Sequence, residues 1–119
     1  MKRIKSFLNK SEVEYRKYLK TKDLDVLAQA GEKLWNVCSL VIQKISRKRL
    51  RSYVETKKAA NDLTFKHDDF LIAETFLDCY KLHRFFYKGW VDDTNEIKNL
   101  YLRSLRGVKV IIARYVGRK

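Results

Sequence analysis

Two histidines in a chain of 119 residues confine imidazole chemistry to two places. His83 has Tyr80 three residues before it, Tyr87 four after it, Asp78 five upstream and Arg84 adjacent. On a helix this spacing gathers a titratable ring, a carboxylate and two phenols, a pocket in which histidine serves as acid, base or donor to a phosphate. A single histidine on a mostly apolar face is equally a core residue that gives its N–H to a carbonyl or phenol oxygen. His67 stands beside Asp68 and Asp69, the densest set of metal-ligating residue types. The same triplet reads as a helix cap. There is no glycine-rich phosphate loop, no H-E-x-x-H and no serine in a nucleophile turn, so the usual nucleotide-binding and hydrolase signatures are missing. Neither a metal nor a cofactor is expected.

Cys38 and Cys79 are too few and too far apart for a zinc cluster or a disulfide framework. Both fall in apolar helical patterns, where a thiol behaves as a small hydrophobe. Buried free thiols are expected, and a Cys38–Cys79 bridge is the alternative in an oxidising compartment or a thermophile's cytosol.

The strongest signal is charge. Lys and Arg number 27 against 14 acids, a net charge of +13, beyond the magnitude of about 2–8 that keeps a small domain soluble. The excess is uneven: residues 1–22, 44–58 and 103–119 each contribute +6, whereas 68–96 carry −4. An anionic partner is expected, nucleic acid ahead of a membrane surface. The candidate contacts are Arg47, Lys48, Arg49 and Arg51 with Arg114, Arg118 and Lys119. Cations at helix C-termini also complement the macrodipole, which accounts for part of the excess. Tyr53 beside this run, and Tyr15 and Tyr18 among Arg16, Lys17 and Lys20, are candidates for stacking on unpaired bases.

These groups need elements to hold them. With no proline and four glycines, long helices are the default and the fold class is all-α. Ser11-Glu12-Val13-Glu14 has the S-x-x-E form of a capping box and predicts a first helix to about Lys20, with Val13, Tyr15, Tyr18 and Leu19 inward and residues 1–10 a basic lead. Asp23 or Asp25 caps a second helix to about Arg49. Its seven-residue rhythm runs through Leu24, Gly31, Cys38 and Ile45, with 27/28, 34/35 and 41/42 beside it. Gly31 in its middle suggests close approach of another backbone.

Residues 50–66 lose the period and predict an irregular connection with a turn or two of helix around 53–60. Asp68 and Asp69 open a third helix to about Lys88, with Phe70, Ala73, Phe76, Leu77, Tyr80, His83, Phe86 and Tyr87 on or near one side. Gly89 ends it. Asp92, Asp93 and Thr94 cap a fourth, whose apolar set is Ile97, Leu100, Tyr101, Leu105, Val108, Ile111, Ile112 and Tyr115.

The expected fold is a single-domain antiparallel four-helix bundle with one long connection, between helices two and three. In such a bundle the C-terminal ends of the second and last helices share one end, which gathers the basic clusters there. The start of the chain lacks a signal peptide's apolar run, and no uncharged stretch approaches the roughly 20 residues of a membrane span. A cytoplasmic location is expected.

Gln29-Ala30-Gly31-Glu32-Lys33-Leu34-Trp35 and Lys81-Leu82-His83-Arg84-Phe85-Phe86-Tyr87-Lys88-Gly89 resemble the archaeal PaREP-type family, small helical proteins placed with the HEPN superfamily of four-helix bundles. The first string has that family's A-G-E-K-L-W pattern. The second follows L-H-x-N-F-Y in part, with Phe85 where the family has Asn and Lys88 where it often has Glu. The resemblance spans roughly residues 11–116. It implies an antiparallel bundle, frequent homodimers, and RNA cleavage or nucleotide binding. The arginine that precedes the histidine by four to six residues in HEPN ribonucleases has no counterpart before His67 or His83. Glu32, Lys33, Trp35, His83 and Tyr87 are the matched positions, and on neighbouring helices they would form a polar cluster.

The reading that follows is non-catalytic binding of RNA or another polyanion by a basic patch. Two alternatives stand beside it: an HEPN-like ribonuclease or nucleotide-binding enzyme centred on His83 with Tyr87, Glu32 and Lys33, and a protein-partner module of a toxin–antitoxin or mobile-element system.

Overall fold

The computed structural model describes residues 1–88 and 94–117, apart from the side chains of Tyr87 and Lys88. Five helices follow one another there: α1 (Lys2–Thr21), α2 (Leu24–Ser46), α3 (Tyr53–His67), α4 (Phe70–Lys88) and α5 (Thr94–Tyr115). Among the described residues there is no strand, and no helix is long and apolar enough to cross a membrane. Gly89, Asp92 and Asp93, expected to end one helix and cap the next, lie outside the described residues.

α1 begins ten residues earlier than the serine pattern predicts. Ile4, Leu8, Ser11, Tyr15 and Tyr18 recur three and four apart, and nothing between them breaks a helix, so the basic lead is helical. Ser11 is consequently a seam residue, fully buried, and not a cap. Its hydroxyl donates to Ala30 O at 2.7 Å and accepts from the Tyr101 hydroxyl at 2.8 Å, tying α1 to α2 and α5. Val13 and Leu19 face solvent instead of the core, because each lies off that seam.

α2 is the central helix and packs on all four others. Asp23 caps it by accepting from Asp25 N–H at 2.9 Å. Leu27, Ala30, Leu34, Val37, Cys38, Val41 and Ile42 are buried, whereas Leu24 at its start is exposed. Gly31 does meet a close neighbour, but that neighbour is a side chain: a Cβ here would lie 3.2 Å from Leu82 Cβ. A second close approach of this kind joins α5 to α4, where a Cβ on Gly107 would collide with Thr75 Oγ1.

The long connection is mostly helix. α2 stops at Ser46, not near Arg49, with Arg47 left-handed at φ 59°. Leu50 N–H donates to Gln43 Oε1 at 3.3 Å, so the strap 47–52 folds back along α2. Ser52 then caps α3 by accepting from Glu55 N–H at 3.1 Å, while Glu55 Oε1 accepts from Arg51 N–H at 2.7 Å. The buried seam of α3 is Thr56, Ala59, Ala60, Leu63 and Thr64. Thr56 and Thr64 satisfy their hydroxyls on Ser52 O and Ala60 O, a back-bonding pattern that lets threonine occupy a helix interior.

α4 buries Ile72, Thr75, Phe76, Cys79, Leu82 and Phe85, whereas Phe70 and Leu77, expected inward, are exposed. The stripe drawn from the sequence was rotated by about one position, since Thr75 and Cys79 hold places that a hydropathy count gives to Leu77. On α5 the buried set is Leu100, Tyr101, Ser104, Gly107, Val108 and Ile111, close to the expected face.

Pairwise contacts fix the directions. Gly31 approaches Leu82 and Trp35 approaches Phe76, so α4 runs opposite to α2. Arg103 bonds Asp78, Gly107 abuts Thr75 and Arg114 bonds Asp69, so α5 runs opposite to α4 and parallel to α2. Tyr15 stacks on Tyr101 while Glu12 pairs with Lys109, so α1 opposes α5. The start of α1, the C-terminal ends of α2 and α5, and the α3–α4 turn therefore share one end of the molecule.

Candidate functional site

The two regions singled out by the sequence occupy different parts of the fold. The first lies between α2 and α4. His83 Nδ1 donates to Glu32 Oε1 at 2.7 Å, and the imidazole stacks on Trp35 at 5.1 Å between ring centres. Trp35 also packs on Phe76 and Tyr80, and Tyr80 stacks on Tyr53 at 4.2 Å. Burial pushes the Glu32 carboxyl above its ordinary value, and the His83 bond and charge oppose that rise. Chemically, a carboxylate on Nδ1 fixes the tautomer and orientation of the ring, the supporting half of an acid–base pair.

Other members of the expected cluster are elsewhere. Lys33 turns to α1 and pairs with Glu14 at 3.5 Å. Asp78 is held by the Arg103 guanidinium through two bonds of 2.8 and 3.0 Å. The Tyr87 side chain lies outside the described residues. Cys38 and Cys79 are both buried and unbridged. Burial, with Cys38 beside it, drives the Cys79 thiol well up, which makes it a packing group.

The second region is the basic end. Arg47, Lys48, Arg49 and Arg51 are all exposed, and among the described residues no carboxylate pairs with their side chains. They sit on the strap that doubles back between α2 and α3. Lys48, Arg49 and Lys58 line a groove of about 370 Å³ over Leu50 and Ala59, with Glu55 and Asp62 on the α3 side. A smaller hollow of about 170 Å³ extends it past Ile45 and Leu63 to Lys66. Glu55 is engaged with the Arg51 amide, which leaves Asp62 as the groove's other carboxylate. Lys2, Arg3 and Lys5 at the start of α1 are exposed at the same end.

Arg114 shares this end but is partly neutralised. Its guanidinium donates to Asp69 Oδ2 at 2.7 Å, the Tyr115 hydroxyl donates to the same oxygen at 2.6 Å, and Leu71 N–H donates to Oδ1 at 3.2 Å. Asp69 thus caps α4 and ties it to α5. Of the expected His67-Asp68-Asp69 cluster, Asp68 forms the left-handed C-cap of α3 at φ 50° and the His67 ring packs on Tyr115 at 4.7 Å. No group of metal-ligating residues occurs among the described residues. Arg118 and Lys119 lie outside them.

The Tyr115 hydroxyl, followed by the Arg114 guanidinium and the Leu71 amide, holds Asp69 below its ordinary value of 3.8. A carboxylate depressed by folding adds stability in full above its unfolded pKa and loses it as pH falls through the lower folded one. Asp69→Asn is therefore expected to flatten the acid limb of a stability–pH curve below about pH 4. Urea unfolding midpoints measured down to about pH 2 check this, and an unchanged limb would rule it out.

The proposed tyrosine platforms are not available for stacking. Tyr15 and Tyr18 are buried, Tyr15 against Tyr101, and Tyr53 is packed on Phe76 and Tyr80. Compared with protein-family models, curated proteins and solved structures, the chain matches none of them.

Proposed function

We propose that this protein binds RNA or another polyanion through its basic end without catalysing a reaction. The observation that carries the reading is the strap: Arg47, Lys48, Arg49 and Arg51 stand exposed and unpaired, Lys48 and Arg49 at the rim of a groove, while the ion pairs of Glu12, Glu14, Asp69 and Asp78 engage other cations. Charge left unpaired beside an open groove is what counterion release on a phosphate backbone exploits. Arg114 contributes in part, and Arg118 and Lys119, which follow it in the sequence, are proposed to add to it.

In this reading α1, α2, α4 and α5 correspond to the four helices of a HEPN-like, PaREP-type bundle, with α3 inserted where the connection was expected, and the protein works in the cytoplasm as a homodimer. RNA affinity measured over a salt series is the test. Each phosphate contact removed should flatten the plot of log affinity against log salt by about 0.7. Replacing Arg47, Lys48, Arg49 and Arg51 by Gln should therefore lower the slope by up to about 3, and an unchanged slope would remove the strap from the interface.

The Glu32–His83 bond favours a second reading, acid–base chemistry on a nucleotide or RNA. It requires that His83→Ala abolish a cleavage activity of the purified protein while leaving its melting temperature near that of the original.

A further inference from the structure

We propose that Phe65 and Phe70 are stacking platforms for unpaired bases, so that the polyanion held at the basic end is a single-stranded nucleic acid. This rests on the reading of that end as a polyanion site and specifies its ligand.

The Phe, Tyr and Trp side chains of the described residues are buried or half-buried with two exceptions, Phe65 at 78% exposure and Phe70 at 64%. They flank the α3–α4 turn, at the end where the start of α1 and the C-termini of α2 and α5 bring their cations. Lys66 follows Phe65 directly and lines the same groove as Lys48. Lys58, seven residues before Phe65 and so on the same side of α3, lines its wider part. Lone exposed hydrophobic residues are ordinary, but here two exposed phenyl rings stand within six residues, on either side of one turn, and the residue after the first lines a groove that holds four cations and two carboxylates.

Cations that track a backbone next to rings that accept base faces are the standard means of holding a single strand. A duplex keeps its base faces stacked inside and has nothing to offer the rings. A second copy of this chain is a poorer occupant, because two basic ends would be brought together and repel. Asp62 and Asp68 are exposed nearby and oppose a phosphate, whereas Asp69 is already engaged with Arg114 and Tyr115.

The experiment titrates the full chain with a single-stranded RNA of about 12 nucleotides, within the range of strand-binding sites, carrying 2-aminopurine, and with a blunt duplex of the same length. Tighter binding of the single strand is expected, with quenching of the 2-aminopurine as it stacks. The Phe65→Ala, Phe70→Ala double variant should bind the strand roughly five-fold or more weakly with the salt slope unchanged, and Phe65→Tyr should bind as the original does. Because both rings are exposed, the melting temperature should not fall.

Equal binding of strand and duplex, or a double variant that binds like the original, would overturn the platforms while the strap reading stands on its salt slope. A double variant altered only in its sedimentation would assign the rings to contact between copies. If the unaltered protein bound neither RNA, both readings would fall together.

Discussion

Tyr101→Ala is expected to lower the unfolding free energy by about 3–5 kcal/mol, the range for removing a large ring from a packed core. Tyr101 is fully buried. Its ring stacks on Tyr15 at 4.6 Å and 13°, and its hydroxyl donates to Ser11, which passes a hydrogen bond to Ala30 O. One side chain therefore joins α5 to the α1–α2 hairpin. Burial drives its hydroxyl above the ordinary tyrosine value, and the bond to Ser11 opposes that rise.

Two milder variants separate ring from hydroxyl. Tyr101→Phe keeps the stack and should cost about 1 kcal/mol, whereas Ser11→Ala strands a buried hydroxyl and should cost about 1–3 kcal/mol. Urea denaturation of the three proteins, compared at equal m-value, gives the ordering. If Tyr101→Phe proved as damaging as Tyr101→Ala, the ring would not be the main contributor.

Trp35→Ala is expected to cost a similar 3–5 kcal/mol, with a different accompaniment. The indole is the surface on which His83, Phe76 and Tyr80 all rest. Without it the imidazole loses the stack that holds it against Glu32, although the Glu32 bond remains. His83→Ala should cost less, since the His83 side chain is 27% exposed and the Glu32 side chain 17%. Thermal melts rank the two. If the histidine variant destabilised as much as the tryptophan one, the Glu32–His83 pair would be a folding element first and the acid–base reading would lose its support.

Helix class and the faces of α2 and α5 were legible because their seams are filled with Leu, Val, Ile and Trp at steady spacing. The polar cluster was legible in part: Glu32, Trp35 and His83 meet, and Lys33 does not, because one residue along a helix turns a side chain by about 100°, here toward Glu14. α3 was legible only in part, as a turn or two around 53–60, for a specific reason. Its seam holds Thr56, Ala59, Ala60 and Thr64 beside a single large apolar residue, Leu63, so the period was present with little of the signal.

The start of α3 was nevertheless written in the sequence. Ser52-Tyr53-Val54-Glu55 repeats the S-x-x-E pattern of Ser11-Glu12-Val13-Glu14, and it is the 52–55 copy that caps a helix. What distinguishes them lies upstream: Ile4, Phe7 and Leu8 continue a helical stripe into Ser11, whereas Arg47, Lys48 and Arg49 supply none to Ser52. The exposure of Phe65 and Phe70 could not be read at all without knowing that α3 is a helix.

Lys22, Arg47 and Asp68 each close a helix in the left-handed region, where a side chain with a Cβ costs about 1–2 kcal/mol that glycine avoids. Every one of these corners thus keeps an ionised group where the backbone alone would favour none. Lys22→Gly, far from the groove, is therefore the cheapest gain in thermal tolerance, while Arg47→Gly would relieve the same strain by removing one of the cations proposed to hold a polyanion.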